Sequence, residues 1–241
     1  FNRLDRKGAL IALDRAGSVH VTAWTPDGCA TVKYDRVGNE LWAALRPYLT
    51  SPAALAVDTR GNVHVTESYV PMELMKRGMN WETVKYDASG RELWVAYYDG
   101  PDWDWRVAFA LDPNGNAFVT GTSQGKDGYG SVTIKYSSTG TELWVARHQG
   151  HWQAALVAVD GAGSAYVTGT SWSPERGWDV ETVKYAKDDG TGLWVARHDG
   201  GGYDRATALV LGPEGTLYVA ASGGLAGISY GSVVKYDGNG K

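Results

Sequence analysis

The sequence predicts an all-β fold: a five-bladed β-propeller whose blades are four-stranded antiparallel sheets of about 50 residues each. Three recurring markers predict it. A Lys-Tyr pair occurs at Lys33-Tyr34, Lys85-Tyr86, Lys135-Tyr136, Lys184-Tyr185 and Lys235-Tyr236, at spacings of 52, 50, 49 and 51 residues. A Leu-Trp pair follows it at Leu41-Trp42, Leu93-Trp94, Leu143-Trp144 and Leu193-Trp194. An Asp-x-x-Gly turn leads into an apolar strand from Asp14 to Thr22, Asp58 to Thr66, Asp112 to Thr120 and Asp160 to Thr168, with a drifted copy from Gly212 to Ala220.

Each repeat reads as four strands, a to d. In the second, strand a is the apolar run Ala53 to Asp58, and the turn Asp58-Thr59-Arg60-Gly61 leads into strand b, Asn62 to Thr66. Strand c, Glu82 to Asp87, alternates Val84 and Tyr86 with Thr83 and Lys85; after the turn Asp87-Ala88-Ser89-Gly90 comes strand d, Glu92 to Tyr98. Short β-branched and aromatic runs between glycine turns are strands, and no segment keeps a 3.6-residue apolar period. The repeats span about residues 9–49, 50–99, 100–149, 150–200 and 201–241, the last joined by 1–8. The fifth lacks a Leu-Trp strand. Phe1-Asn2-Arg3-Leu4 is expected to pair as its missing outer strand and close the ring; a piece of a longer propeller is the alternative.

Composition narrows the function. The chain has 241 residues and a net charge of -4, without the clustered positive charge that grips nucleic acid. No apolar run approaches the length of a membrane-spanning helix, so no span is expected. Cys29 is the single cysteine, which excludes an internal disulfide and a cysteine-based zinc cage. Gly at 32, with 11 Trp and 14 Tyr against 3 Phe, fits many turns and short strands.

The unit Asp-x-x-Gly-Asn-x-x-Val-Thr … Thr-Val-Lys-Tyr-Asp-x-x-Gly-x-Glu-Leu-Trp-Val-Ala resembles the SBBP repeat, a bacterial β-propeller repeat. The resemblance is carried by Asn62 to Thr66, Thr83 to Asp87 and Glu92 to Ala96, with looser matches in the first and fifth copies. It implies an exported propeller, extracellular, cell-surface or periplasmic, often one module of a larger protein. It is uninformative about activity. The Gly-x-Glu-Leu-Trp element also looks like a quinoprotein repeat, but those enzymes have many more blades.

The five copies act as an internal control: what every copy keeps is scaffold, and what one copy holds is a candidate for function. The Leu-Trp indoles are expected to pack on the neighbouring blade, rather than to form a sugar platform. The Lys of each Lys-Tyr pair is expected to lay its stem on apolar surface and to reach water or a carboxylate such as Glu92, rather than to form a cationic ring. His20 and His64 share a slot with Phe118, Tyr166 and Tyr218; His148 and His198 share one with Tyr98. All four read as packing residues, which leaves His151 in a variable loop. Cys29 reads as a buried small residue. No spacing of metal ligands occurs, and Asp112-Pro113-Asn114-Gly115-Asn116 lacks the features of a calcium loop, so no metal and no cofactor are expected.

The a–b and c–d turns are uniform and lie at one end of each blade. The variation lies at the other end, in the b–c and d–a connections, where function is expected. The d–a connections align Trp103, His151 and Tyr203, then Asp104, Trp152 and Asp204, then Trp105, Gln153 and Arg205, with Asp102 just before. Aromatic planes beside Asp, Gln and Arg suit a sugar or a peptide. The b–c connection of the second repeat, Ser68 to Asn80, carries Tyr69, Val70, Met72, Leu74, Met75 and Met79, a candidate partner surface with Trp172 and Trp178 of the fourth repeat.

The primary reading is a non-catalytic interaction or assembly module with a protein partner. A carbohydrate-binding, lectin-like propeller is the alternative. A five-bladed glycoside hydrolase is the third, with Asp102, Asp104 and Asp204 as its available carboxylates.

Overall fold

The computed structural model describes residues 8–47, 50–69, 80–100, 104–125, 128–149, 151–225 and 228–241; for residues 50, 69, 106, 151–155, 214, 225 and 228 it describes the backbone alone. Among the described residues there is no helix long and apolar enough to cross a membrane. The chain divides into two compact units, Phe1–Val107 and Ala108–Lys241.

The first unit holds two antiparallel sheets. One runs in the order β1 (Ala9–Leu13), β2 (Val19–Thr25), β3 (Gly28–Tyr34) and β4 (Glu40–Arg46); the other runs β5 (Thr50–Val57), β6 (Val63–Tyr69), β7 (Asn80–Tyr86) and β8 (Glu92–Tyr98). The third sheet begins with β9 (Asp104–Leu111), which straddles the boundary, and continues with β10 (Ala117–Gly125), β11 (Gly128–Tyr136) and β12 (Glu142–His148). The second unit adds β13 (His151–Val159), β14 (Ala165–Ser173), β15 (Gly177–Tyr185) and β16 (Gly192–His198), then a three-stranded sheet of β17 (Tyr203–Leu211), β18 (Leu217–Leu225) and β19 (Ile228–Tyr236).

Each sheet is one sequence repeat, in chain order. The fifth has three strands among the described residues, as its missing Leu-Trp predicts. The expected outer strand at Phe1 to Leu4 lies outside the described residues. Strand d of the second repeat has the expected bounds, Glu92–Tyr98, whereas strand a starts earlier than expected, at Thr50. The extension passes a bulge between Pro52 and Ala54, and the same irregularity recurs at Ala154/Leu156 and Ala206/Ala208. A bulge lets a strand re-aim without ending, so residues that read as connections are paired.

The Asp-x-x-Gly turns are built alike. Gly61 N–H donates to the Asp58 carbonyl at 3.0 Å, and Asn62 N–H donates to Asp58 Oδ1 at 2.9 Å; Asp112 and Asp160 repeat both bonds. Behind each turn the Lys finds its partner. Lys33 Nζ lies 3.2 Å from Asp14 Oδ2, and Lys85 Nζ lies 3.5 Å from Asp58 Oδ2, each beside the buried His20 or His64. Where the slot is aromatic, Lys135 and Lys184 sit over the rings of Phe118 and Tyr166 at 5.1 and 4.9 Å, and reach carbonyls of the next repeat. The carboxylate is therefore the turn aspartate. Glu92 pairs instead with Arg46 at 2.6 Å.

Within each unit the strand-d indoles bind one sheet to the next. Trp42 packs against Tyr86 at 6.0 Å, Trp144 against Tyr185 at 6.3 Å, and Trp194 against Tyr236 at 6.1 Å. Each indole N–H donates at 3.1 Å to a carbonyl in the next repeat's c–d turn: Ala88, Lys187 and Gly238. The ring then covers that turn's glycine. A Cβ on Gly90, Gly190 or Gly240 would lie 2.6–2.7 Å from the indole, and their φ values of +87°, +72° and +79° also favour glycine. The glycine of the repeated turn thus has two reasons to be glycine. The packing expected for the indoles holds for Trp42, Trp144 and Trp194 and carries a directed hydrogen bond as well; of these Trp144 is buried and the other two are half-buried.

A second lock links the same sheets. The strand-d end reaches strand c of the next repeat: Arg46 to Glu82, His148 Nε2 to Glu181 Oε1 at 2.7 Å, and His198 Nε2 to Ser232 Oγ at 3.2 Å. Of the four histidines that read as packing residues, His148 and His198 are polar bridges between sheets. Inside each of the first four sheets, a buried Thr pair joins strands b and c, from Thr22–Thr31 at 2.9 Å to Thr168–Thr182 at 2.8 Å. Ala220 and Val233 take its place in the fifth.

Candidate ligand site between the fourth and fifth repeats

The b–c connection of the fourth repeat is a tight hairpin, and it sets two indoles side by side. Trp172 on β14 and Trp178 on β15 are directly paired, a position where side chains on one face touch. The Trp178 ring meets Tyr203 of the fifth repeat at 6.0 Å. Trp172 and Tyr203 are 39% and 51% exposed, so the row presents aromatic surface to solvent.

One residue further along both strands, the chemistry changes. Alternation along β17 exposes Tyr203 and Arg205 and buries Asp204 completely. Asp179, next to Trp178, is also completely buried. The pairing of Val180 with His198 brings the following residue, Asp199, alongside. One carboxylate oxygen from each of Asp179, Asp199 and Asp204 lies within 4.8 Å of the others; Asp199 is the exposed member.

The partners of these carboxylates differ. Arg197 Nε donates to Asp179 Oδ2 at 2.6 Å, and Arg197 Nη2 donates to Ser173 Oγ at 3.3 Å. Asp179 Oδ1 is buried with no hydrogen-bond partner. Asp204 Oδ2 accepts from Gly200 N–H at 2.7 Å, and Asp199 Oδ1 accepts from Gly201 N–H at 2.9 Å. The Tyr230 hydroxyl lies 2.6 Å from Asp204 Oδ1 and 2.8 Å from the Gly201 carbonyl. Its bond to the Asp204 carboxylate, then burial and the charges of Asp204, Asp199 and Asp179, push the phenol up to about 12. A Cβ at Gly200 or Gly223 would collide with Asp204 and Tyr230, so glycine makes room for that contact.

Two candidates of the d–a set take another role. Asp104 and Asp204 are completely buried in strands rather than presented on loops. Each carboxylate holds the turn before it: Gly100 N–H donates to Asp104 Oδ2 at 2.9 Å, as Gly200 does to Asp204. One oxygen of each faces a backbone amide, and neither carboxylate is presented on a surface loop as the sequence reading placed it. Trp105 is half-buried. His151, Trp152 and Gln153 pair through the backbone with Trp172, Ser171 and Thr170, so they too stand in a strand. Asp102 and Trp103 lie outside the described residues, as do Val70, Met72, Leu74, Met75 and Met79. Among the expected residues, the structure brings together Trp172, Trp178, Tyr203 and Asp204. It adds Asp179, Arg197, Asp199 and Tyr230, which no motif signalled. Their signal was positional: in the third repeat the places of Asp179 and Asp199 are held by Gly130 and Gln149.

No family model matches the chain, and no curated protein matches it. Solved structures do. A polysaccharide lyase, an ulvan lyase, has a TM-score of 0.64 at 10% identity, covering 98% of this chain and 68% of that one. A streptogramin B lyase has a TM-score of 0.56 at 13% identity, covering 98% and 70%. Drosophila Plexin A, solved in complex with Semaphorin 1b, has a TM-score of 0.57 at 10% identity, covering 95% and 53%. At these identities the likeness is one of fold: the chain has the all-β, repeated-sheet fold of the β-propeller type.

Proposed function

We propose that the chain is a non-catalytic, five-bladed β-propeller of SBBP type that binds carbohydrate at the junction of its fourth and fifth repeats. The observation that carries this reading is the row Trp172, Trp178 and Tyr203, open to solvent and held by paired strands. Indole and phenol faces pack on the C–H faces of sugar rings, and polar groups beside them bond hydroxyls. Arg205 and Asp199, both exposed next to the row, supply a donor and an acceptor of opposite charge. The non-catalytic part is supported by Asp104 and Asp204, whose carboxylates are engaged with turn amides.

The test is retention on immobilised neutral and acidic polysaccharides. The intact protein is expected to be retarded on at least one, and Trp178→Ala with Tyr203→Ala to run unretarded. Absence of retardation across the panel, or retention by the double variant, overturns the reading.

A second reading, a protein-assembly module exported from a bacterial cell, has its own observation. Ile11 and Leu13 of β1 are 71% and 67% exposed, Val37 in the turn before β4 is 83% exposed, and Val233 of β19 is 71% exposed. Exposed aliphatic surface of this kind is where a protein partner docks. A native mass above 26.0 kDa, with other chains in fixed ratio, would favour it over a free sugar-binding protein.

A further inference from the structure

We infer that Asp179, Asp199 and Asp204 form a binding site for one hard divalent cation of calcium size. The oxygens they offer lie within 4.8 Å of one another. Calcium holds oxygen ligands at about 2.3–2.6 Å, so ligands on opposite sides of the ion stand about 4.6–5.2 Å apart. Magnesium at about 2.0–2.1 Å also fits within that bound, but it demands near-ideal octahedral geometry and keeps most of its waters, which three protein carboxylates suit less well.

The proximity of three acids would be weak ground by itself. The independent observation is Asp179 Oδ1, an oxygen of a completely buried carboxylate, with no hydrogen-bond partner. A buried charged oxygen without a partner is costly, and folded proteins satisfy such atoms with an ion or water. Charge points to the ion. Two fully buried carboxylates and a third at the surface meet one bonded guanidinium, that of Arg197; the other bonds to the cluster come from neutral groups, Gly200, Gly201 and Tyr230. Asp199, exposed, gives a hydrated ion its way in.

The repeats supply a control. The bond of Asp204 to Gly200 has its twin in Asp104 and Gly100 and belongs to the scaffold. Asp199 has a counterpart in Asp99 of the second repeat; what the fourth repeat adds is the buried Asp179, where the second has Asn80 and the third has Gly130. Asp199 belongs to both this site and the carbohydrate reading, but the cation is expected to bind with no sugar present.

The experiment is calorimetric titration of the EDTA-treated, full-length protein with calcium chloride and with magnesium chloride, with melting curves in parallel and no sugar present. One calcium per chain is expected, with a dissociation constant of roughly 0.1–1 mM, and tighter binding than magnesium. Asp199→Asn, at an exposed position, should fold and lose at least tenfold in calcium affinity. Asp188→Asn, in a c–d turn, should bind as the parent does. A parent protein with no calcium heat and no rise in Tm at 10 times that concentration range overturns the site, and so does equal binding by Asp199→Asn. Neither result touches the retention assay, so the two readings fail separately.

Discussion

The junction between the third and fourth repeats and the junction between the fourth and fifth share one scaffold and differ in their polar chemistry. Trp144 and Trp194 make the same clasp on Gly190 and Gly240, and His148 and His198 reach across from the same position. At the first junction the histidine meets a buried carboxylate, Glu181; at the second it meets Ser232. Above the second junction stand Asp179, Asp199 and Asp204, where the first has Gly130, Gln149 and Trp152. On a scaffold that repeats so closely the remaining differences stand out: one junction carries a His148–Glu181 bridge, the other a cluster of three carboxylates.

The largest effect should come from removing what the junctions share. Trp144→Ala deletes a nearly buried indole, and the loss should be about 3–5 kcal/mol in chemical denaturation, the usual range for a buried Trp. A loss under 1 kcal/mol would show that the clasp is incidental.

The next effect separates the junctions. Burial pushes the Glu181 carboxyl up, but hydrogen bonds from His148 and Ser171 and the charges of His148 and Arg197 outweigh it and hold it below its ordinary 4.5. A carboxyl depressed in the folded state stabilises above its unfolded value, and that contribution is lost as pH falls through the folded one. Stability should therefore fall below about pH 4.5, and Glu181→Gln should flatten that part of the profile, whereas Ser232→Ala leaves its shape intact. An unchanged profile in Glu181→Gln would remove the ionic lock from the comparison.

A smaller acid effect belongs to the first repeat. Asp14 is pushed up by burial, yet the Ser18 amide, Lys33 and His20 hold its carboxyl at about 2, against an ordinary 3.8. Its contribution is present above 3.8 and disappears as pH falls from there through about 2. Asp14→Asn should lose the pH dependence of that window, measured by melting curves between those values.

The smallest effect on stability should accompany the largest on binding. Tyr203→Ala trims a half-exposed ring, so its Tm should stay near that of the parent while polysaccharide retention drops. Equal loss of both would mean that the aromatic row is part of the core.

Much of this could be read from the residues. The Lys-Tyr and Leu-Trp spacings gave the sheets, and the bounds of β8 came out as expected, because each strand sits between glycine turns. The role of Asp204 did not. A period of two buries alternate residues, but the bulge at Ala206/Ala208 carries β17 back through a segment that looked like a loop. Asp179, Asp199 and Asp204 were hidden for a different reason. They are 20 and 5 residues apart, and the pairing of Val180 with His198 brings the first two together. Strand pairing joins residues at separations that no local motif encodes.

The fourth repeat carries both halves of the clasp: Trp194, which reaches forward to Gly240, and Gly190, which receives Trp144 from behind. An interface of this kind is already complementary to a copy of itself. A gene segment encoding one repeat can be duplicated or deleted in tandem, and the new neighbours meet across a seam that needs no fresh adaptation. Mutation is then free to accumulate at the opposite end of each sheet, where Asp179 and Asp199 depart from their counterparts in the repeat before.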